Sequence, residues 1–319
     1  MSTKAKTWLI IAILFIVGGL LLAGVGTAMG GTWSYSYFFK DGHINFSKNS
    51  DNYLSEKKIV SDFSKLNVTA GTVDVIIEKG ADECSVFYYV PENMVPTIDD
   101  GDTLTIEVPK QTSFFDFFNF NTGESPYIKI TVPSDDEKKF DISTSTGDVN
   151  VVRLSFYGKI GSSTGDITLN TTSLGDVTLS TSTGDMFING VRSSGVEIST
   201  STGETRISDS VIDKLVSKTS TGDIDIIGSE FNRIQIDGST SDVTLTSTKV
   251  EDTKIDVSTG ECELELLGNA SDYSCKLSSS TGDIDYDRHE YEKRYSNDGT
   301  GKGMISIETS TGDIEVRFR

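Results

Sequence analysis

The chain has 319 residues, with 48 acidic and 28 basic side chains, so its formal net charge is −20 at pH 7. A protein this acidic repels nucleic acid and anionic lipid headgroups, which argues against a nucleic-acid partner. Its two histidines and three cysteines are too few for a histidine metal cluster or for the disulfide framework of a small secreted domain. We expect no cofactor.

Residues 8–29 predict an uncleaved transmembrane helix. They read WLIIAILFIVGGLLLAGVGTAM and contain no charge. About 20 apolar residues span a bilayer as a helix, whereas the apolar region of a secretory signal is about 7–15 residues long. A removed signal peptide, with Ala28-Met29-Gly30 as its cleavage site, is the alternative.

The basic residues predict the orientation of this helix. Lys4 and Lys6 precede the apolar stretch, and the next positive charge is Lys40. Positive charge favours the cytoplasmic side of a membrane. Residues 1–7 are therefore predicted to be a cytoplasmic tail and residues 30–57 a juxtamembrane linker. The expected location is the cell membrane, with a single span and the main domain outside the cell.

The most informative feature is an internal repeat, which starts as STSTGD at residues 143–148 and returns, whole or altered, up to residue 313. Between residues 184 and 260 its copies are 19 residues apart. One copy has Ser241 where the others have glycine. The repeat glycines, which we predict to be structural corners, are Gly147, Gly165, Gly184, Gly203, Gly222, Gly260, Gly282 and Gly312.

Each copy contains two short runs that alternate apolar and polar residues, such as Ile224-Asp225-Ile226 and Ile234-Gln235-Ile236. Alternation with period two indicates strands that bury one face. Glycine permits a tight corner, and the aspartate after it can bond the backbone of its own turn. The pattern predicts an all-β fold, a parallel β-solenoid of about 19 residues per coil over residues 134–319.

Stacking of such coils makes specific contacts predictable. Residues that follow the glycines should form one interior column, and the serines and threonines before the glycines should form hydroxyl columns. The predicted interior column is Ile167, Ile188, Ile207, Ile226 and Leu245. Cys262 and Cys275 either meet across neighbouring coils or, as we favour, remain buried free thiols.

Two regions flank or interrupt the repeat. Residues 58–133 contain strand-like runs without the repeat phrase, so we predict an irregular β cap that covers one end of the solenoid, where an open edge would invite aggregation. The polar insertion between Tyr286 and Gly303 is predicted to be a protruding loop. Neither region suggests a further helix.

The chain resembles a known family at this point. Its hydrophobic leader, the lead-in that ends in IKITVP at residues 128–133 and the S-T-S-T-G-D-I copies are similar to the bacterial family labelled putative adhesin, a domain of unknown function, in its Gram-positive, membrane-anchored type. The resemblance covers about residues 58–319. It implies a β-solenoid at the cell surface and brings no catalytic residues. The departures are Ser241 for glycine and Glu204 and Glu261 for aspartate.

The resemblance implies a non-catalytic, adhesin-like protein that binds an envelope or surface ligand. Some related proteins are similar to parts of cell-envelope stress systems. The alternative is therefore a regulatory component that acts through a membrane-protein partner. The seven-residue tail is too short to signal alone.

The acidic residues of the repeat raise two chemical possibilities. Catalysis needs one distinguished place, whereas these acids recur in every copy, so we expect no enzyme activity. Stacked aspartates are weak candidates for calcium ligands, although the calcium-binding nonapeptide pattern is absent. Capping of the turn is the favoured role. The candidates are Asp148, Asp166, Asp185 and Asp223.

An aromatic cluster lies between two strand-like runs, where it is either an exposed contact loop or a plug at the end of the solenoid. An exposed cluster would mark a partner or a membrane, but the plug is favoured because the cluster precedes the first coil. Its members are Phe114, Phe115, Phe117, Phe118 and Phe120.

Overall fold

The computed structural model describes residues 35–40, 43–48, 53–80, 82–109, 125–170, 172–299, 301 and 303–319, with side chains from residue 53 onward. The chain forms two compact units, residues 1–52 with 111–124 and residues 53–110 with 125–319. The predicted helix at residues 8–29 and the phenylalanine cluster lie outside the described residues. Within the described ranges, no helix has the length and apolarity that crossing a membrane requires.

The described part of the first unit is an antiparallel hairpin of β1 (Tyr35–Lys40) and β2 (His43–Lys48). The second unit begins with β3 (Tyr53–Ile59), β4 (Lys65–Gly71), β5 (Asp74–Lys79), β6 (Ser85–Pro91), β7 (Thr97–Asp99), β8 (Thr103–Glu107) and β9 (Tyr127–Val132), with a 3-10 turn at Glu92–Met94. Strands therefore occupy much of the predicted linker at residues 30–57.

The repeat region continues with β10 (Lys138–Thr144), β11 (Val149–Val152), β12 (Ser155–Ser162), β13 (Ile167–Asn170), β14 (Ser173–Thr183), β15 (Met186–Asn189), β16 (Arg192–Thr202), β17 (Thr205–Ser208), β18 (Val211–Thr221), β19 (Ile224–Ile227) and β20 (Glu230–Thr240). It ends with β21 (Val243–Thr259), β22 (Cys262–Leu266), a 3-10 turn at Ala270–Asp272, β23 (Tyr273–Thr281), β24 (Ile284–Tyr286), β25 (His289–Tyr291), β26 (Arg294–Asn297), β27 (Gly303–Thr311) and β28 (Ile314–Phe318).

Parallel pairing arranges these strands in two ladders. The long-strand ladder runs in space as β8, β4, β10, β12, β14, β16, β18, β20, the second part of β21, β27 and β23. The short-strand ladder runs as β9, β5, β11, β13, β15, β17, β19, the first part of β21, β22, β28 and β24. One strand from each ladder makes one coil, so the all-β parallel solenoid is confirmed.

The coil period is also confirmed, because Val196 pairs with Leu215 and Ile226 with Leu245, each 19 residues on. The predicted interior column is wrong at one member. Ile167 pairs with Met186, and Leu169 takes the place beside Ile188. The error arose because the second and fourth residues after a glycine both point inward, here Ile167 and Leu169. Only the pairing register shows which of the two lies beside Ile188.

Both ends of the solenoid depart from chain order. The last coil, β27 with β28, lies between the coil of β21 and β22 and the coil of β23 and β24. At the other end, β4 and β5 lie inside β8 and β9. The region at residues 58–133 therefore contributes two coils that continue both ladders.

Antiparallel strands close each end. β3, β6 and β9 pair in that order at one end, where β7 also pairs with β8. At the other end β25 pairs with β24 and β26 pairs with β23. The predicted protruding loop between Tyr286 and Gly303 is therefore wrong, since much of this segment is hydrogen-bonded as a cap. Such caps limit the exposed strand edge on which other chains could pair.

The core lies between the two ladders and consists of inward-pointing valine, isoleucine and leucine side chains. Phe140 and Phe156, on successive long strands, stack with ring centroids 4.6 Å apart and are almost fully buried. Burying one such apolar side chain stabilises a protein by about 1.5–3 kcal/mol. Stability therefore accumulates coil by coil along the axis.

A buried cation joins the start of the solenoid to the first repeat coil. Lys138 is only 4% exposed, and its Nζ donates to Phe63 O at 2.6 Å and to Asp62 Oδ1 at 2.9 Å. The hydrogen bond and charge of Lys138 hold the pKa of the Asp62 carboxyl below its usual value. Removing this carboxylate would leave the ammonium without its anionic partner.

We expect Asp62→Asn to lower the melting temperature at neutral pH. Because the folded state favours the Asp62 carboxylate, its stabilisation is present above the unfolded pKa of about 3.9 and is lost as pH falls through the lower folded value. The difference between wild type and variant should therefore shrink below about pH 4. Thermal unfolding across pH measures it, with Asp141→Asn on the exposed side of β10 as control. A difference independent of pH would contradict this role.

Candidate functional site

The repeat corner, between each long strand and the short strand that follows, makes the most regular surface of the described solenoid. We call it the repeat ridge: in each copy, the exposed serine and threonine before the glycine, the glycine itself and the acidic residue after it. Successive threonines are paired across coils, about 4.8 Å apart. In spatial order this exposed column contains Thr183, Thr202, Thr221, Thr240, Thr259, Thr311 and Thr281.

The glycines are required because the backbones of neighbouring coils approach closely at this corner. A Cβ atom at Gly203 would lie 2.1 Å from the carbonyl oxygen of Gly184, and one at Gly222 would lie 2.0 Å from that of Gly203. Gly203 also has φ of 146°, which side chains disfavour. The predicted corner glycines are thus brought into one stack, with Gly312 between Gly260 and Gly282.

One copy lacks the corner glycine and compensates nearby. Ser241 takes its place, and the position three residues earlier, which holds Thr219 in the coil before, is Gly238. A Cβ at Gly238 would lie 3.3 Å from the Ser241 side chain. The absence of a side chain at Gly238 therefore leaves room for the serine, and the stack continues without a break.

The four aspartates predicted as calcium candidates bond the next coil rather than their own turn. Asp148 Oδ1 accepts from Asp166 N at 2.8 Å, Asp166 Oδ1 accepts from Asp185 N at 2.7 Å, and Asp185 Oδ1 accepts from Glu204 N at 2.8 Å. The last predicted candidate, Asp223, accepts from Asp242 N at 3.1 Å. Each carboxylate therefore satisfies a corner N–H group that the strand ladders leave unpaired.

The structure gives no grouping of these acids that suits a metal. Among the described residues, no three histidine, cysteine, aspartate or glutamate side chains come together as a possible metal site. Burial raises the pKa of Asp74, next to the column, and of Glu204 within it. Glu204, one of the two glutamate departures, pairs instead with Arg206. The four calcium candidates are thus placed in one column as hydrogen-bond acceptors.

A second hydroxyl column lies just inside the ridge, where its members are at most 8% exposed. Ser162 Oγ accepts from Gly165 N at 2.8 Å, whereas Thr144 and Ser279 donate to the carbonyl oxygens of Gly147 and Gly312 at 2.8 and 2.9 Å. These bonds fix the corner from inside. The predicted hydroxyl columns are confirmed as one exposed column and one buried column, and the buried column is interrupted at Gly238 and Val257.

The sequence did not indicate which residues form the opposite corner of the coil. It is left-handed at Gly190, Asp209, Gly228 and Ser247, with φ between 50° and 64°. Only two of these are glycines, so no regular phrase marks the corner. Ser210 and Ser229 bond across it, since Ser210 N donates to Ser229 Oγ at 3.1 Å.

The three cysteines are buried free thiols. Burial raises the pKa of Cys262 to about 12 and that of Cys275 to about 11, so both are unreactive at neutral pH. Cys262 lies in the short-strand ladder and Cys275 in the long-strand ladder. Their placement in different ladders explains why the favoured free-thiol interpretation holds.

The sequence profile of the Toastrack family, DUF4097, matches residues 63–317. No curated protein matches the chain. Among solved structures, it is similar to a putative lipid binding protein from Parabacteroides distasonis, with 14% identity, a TM-score of 0.52 and coverage of 84% of this chain and 98% of that one. That likeness shows the fold alone.

Two further similar structures are a putative adhesin from Parabacteroides distasonis and one from Parabacteroides merdae. The first has 16% identity and a TM-score of 0.46, and the second has 14% identity and a TM-score of 0.44. In both, the alignment covers 84% of this chain and 98% of the other.

We expect Gly203→Ala to destabilise the solenoid by about 2 kcal/mol or more, because the added Cβ strains the backbone and meets the carbonyl oxygen of Gly184 on the preceding coil. Gly101→Ala is the matched control, since its Cβ would lie no closer than 3.9 Å to another atom. Thermal unfolding of both variants measures the effect. Equal melting temperatures would refute the close-approach explanation.

We expect Asp185→Ala to cost about 1–3 kcal/mol, because Glu204 N–H loses its acceptor. Asp185→Asn should retain wild-type stability or exceed it, because the amide oxygen still accepts while one like charge is removed. Thermal unfolding with calcium and with a chelator checks this. A calcium-dependent stabilisation that Asp185→Asn abolishes would restore the metal hypothesis.

Proposed function

This chain belongs to the Toastrack family, DUF4097, and we propose that it is a non-catalytic binding protein of the surface of a Gram-positive cell. Residues 8–29 anchor it in the cell membrane as a single span with the N-terminus in the cytoplasm. The solenoid is then displayed outside, where it binds a ligand of the envelope or of another surface.

The observation that carries this proposal is the continuous column of exposed threonines on the repeat ridge. Seven hydroxyl groups at a spacing of about 4.8 Å give a row nearly 30 Å long of groups that both donate and accept hydrogen bonds. A row of this kind suits an extended ligand with many weak contacts better than a small substrate held at one place.

The carboxylates support a binding role over catalysis. Asp148, Asp166 and Asp185 each accept from the backbone of the next coil, so their repetition has a structural cause. A glycosidase of the usual kind needs two carboxylates with different environments and different pKa values. Asp148, Asp166, Asp185 and Asp223 share one role instead, that of acceptor for a backbone N–H group of the next coil.

The test is expression of the full chain in a Gram-positive host that lacks its own copy. We expect protease added outside intact cells to remove the solenoid, and photo-crosslinking from Thr221 and Thr240 to recover envelope polymer or material of neighbouring cells. Recovery of membrane sensor subunits, with altered envelope-stress transcription, would favour the regulatory alternative. A solenoid protected from external protease would overturn the proposed location and function.

A further inference from the structure

We propose that an open cleft of about 440 Å³ at the capped N-terminal end of the solenoid binds a neutral glycan chain. It lies on the outer face of the antiparallel strands β3, β6 and β9. This inference rests on the proposed binding function and names the class of ligand. The cleft lies where β3 and β6 extend the sheet of the short-strand ladder beyond β9, whereas the repeat ridge lies at the corner between the two ladders.

Aromatic rings form the apolar part of the cleft. Phe87 and Tyr127 line the cleft, with ring centroids 5.8 Å apart and planes at 37°, and Tyr89 lies beside it, 6.0 Å from Tyr127. All three are partly exposed on a sheet face that points away from the core. A pyranose ring presents an apolar C–H face that packs on an aromatic ring, and ligand sites combine aromatic walls with a few polar groups.

The rim provides those polar groups. Phe87 lies between Lys57 of β3 and Lys129 of β9 in the sheet register. Lys129 Nζ is 2.7 Å from Glu78 Oε1, and Lys57 Nζ is 4.0 Å from Glu83 Oε1. These side chains are 30–56% exposed, so each pair retains donors and acceptors for a ligand. Sugar hydroxyls match this mixture because they both donate and accept.

Charge and shape favour a neutral polymer. The carboxylates of Glu78, Asp82 and Glu83 outnumber the two lysines at the cleft, and the chain carries a net charge of −20. Anionic polymers are therefore repelled. An acyl chain needs an enclosed apolar volume, whereas here charged side chains border the rings. A lipid is accordingly the less favoured ligand.

The experiment measures binding of neutral oligosaccharides to the full-length protein in detergent micelles. Cellohexaose, chitohexaose and maltohexaose are titrated by calorimetry. We expect at least one to bind, and Phe87→Ala and Tyr127→Ala each to weaken it about tenfold, or 1.4 kcal/mol. Phe187→Ala, on the same outer face away from the cleft, is the matched control and should bind as wild type does.

Two further measurements distinguish a variant that fails to fold from one that folds but binds the oligosaccharide less tightly. Melting temperatures show whether each alanine variant folds, and Lys129→Met removes a rim donor while keeping a chain of similar length. We expect Lys129→Met to weaken binding with little change in melting temperature. Phe87→Tyr should restore most of the affinity that Phe87→Ala loses.

Three results would overturn the inference: no binding of any of the three oligosaccharides, equal loss in Phe187→Ala, or binding of phosphatidylcholine vesicles that Phe87→Ala abolishes without any glycan binding. The proposed surface function is tested separately from the cleft. If envelope polymer is crosslinked from Thr221 and cell-surface display is normal while the cleft variants change nothing, the function stands and the cleft assignment is wrong.

Discussion

The structure depends on how closely successive coils approach at the repeat corner. There the carbonyl oxygen of one coil occupies the space that a Cβ atom on the next coil would need, about 2 Å from its ideal position at Gly203 and Gly222. Glycine allows both ladders to keep their pairing across the turn at eight of the nine corners, and at the ninth Ser241 is accommodated beside Gly238. The alignment of the coils, the buried apolar columns and the exposed threonine column all require this approach.

The same corner explains part of the acidity of the chain. A corner N–H group lies outside the strand ladders, and where the neighbouring coil has an aspartate, that carboxylate accepts its hydrogen bond, as Asp166 does for Asp185. Repetition of this bond places like charges one coil apart, which opposes stacking. Hydrogen bonding to the charged form offsets that repulsion. The acidic surface is thus partly a consequence of the fold, and it repels anionic partners.

Prediction from the sequence was accurate where a residue type is explained by one local requirement of the backbone or of burial. The glycines marked the ridge because a Cβ atom added at any of them would meet a backbone oxygen of the neighbouring coil, and alternation predicted strands with one buried face. The order of the last coils was not predictable, because the phrases around Gly282 and Gly312 fit either position equally well. Their order depends on the antiparallel cap of β25 and β26, a long-range pairing that local patterns do not encode.

The proposed glycan cleft was also beyond sequence analysis. Phe87 and Tyr127 are 40 residues apart in the chain, and each lies in a strand whose alternation explains it as an ordinary sheet residue. Only the antiparallel register of β6 and β9 brings them together. The acidic column was predicted from the sequence, but each aspartate was expected to bond the backbone of its own turn. The bonds are made to the next coil instead, and they depend on the spacing of the coils.

Disulfide trapping between substituted threonines tests the stacked column most directly. A disulfide requires Cα atoms about 4.4–6.8 Å apart, a range that includes adjacent coils and excludes coils two steps apart. The doubly substituted chain Thr202→Cys with Thr221→Cys should therefore crosslink within one molecule under mild oxidation, whereas Thr202→Cys with Thr240→Cys should not. Efficient crosslinking of the second pair, or failure of the first, would contradict a solenoid with one coil per repeat.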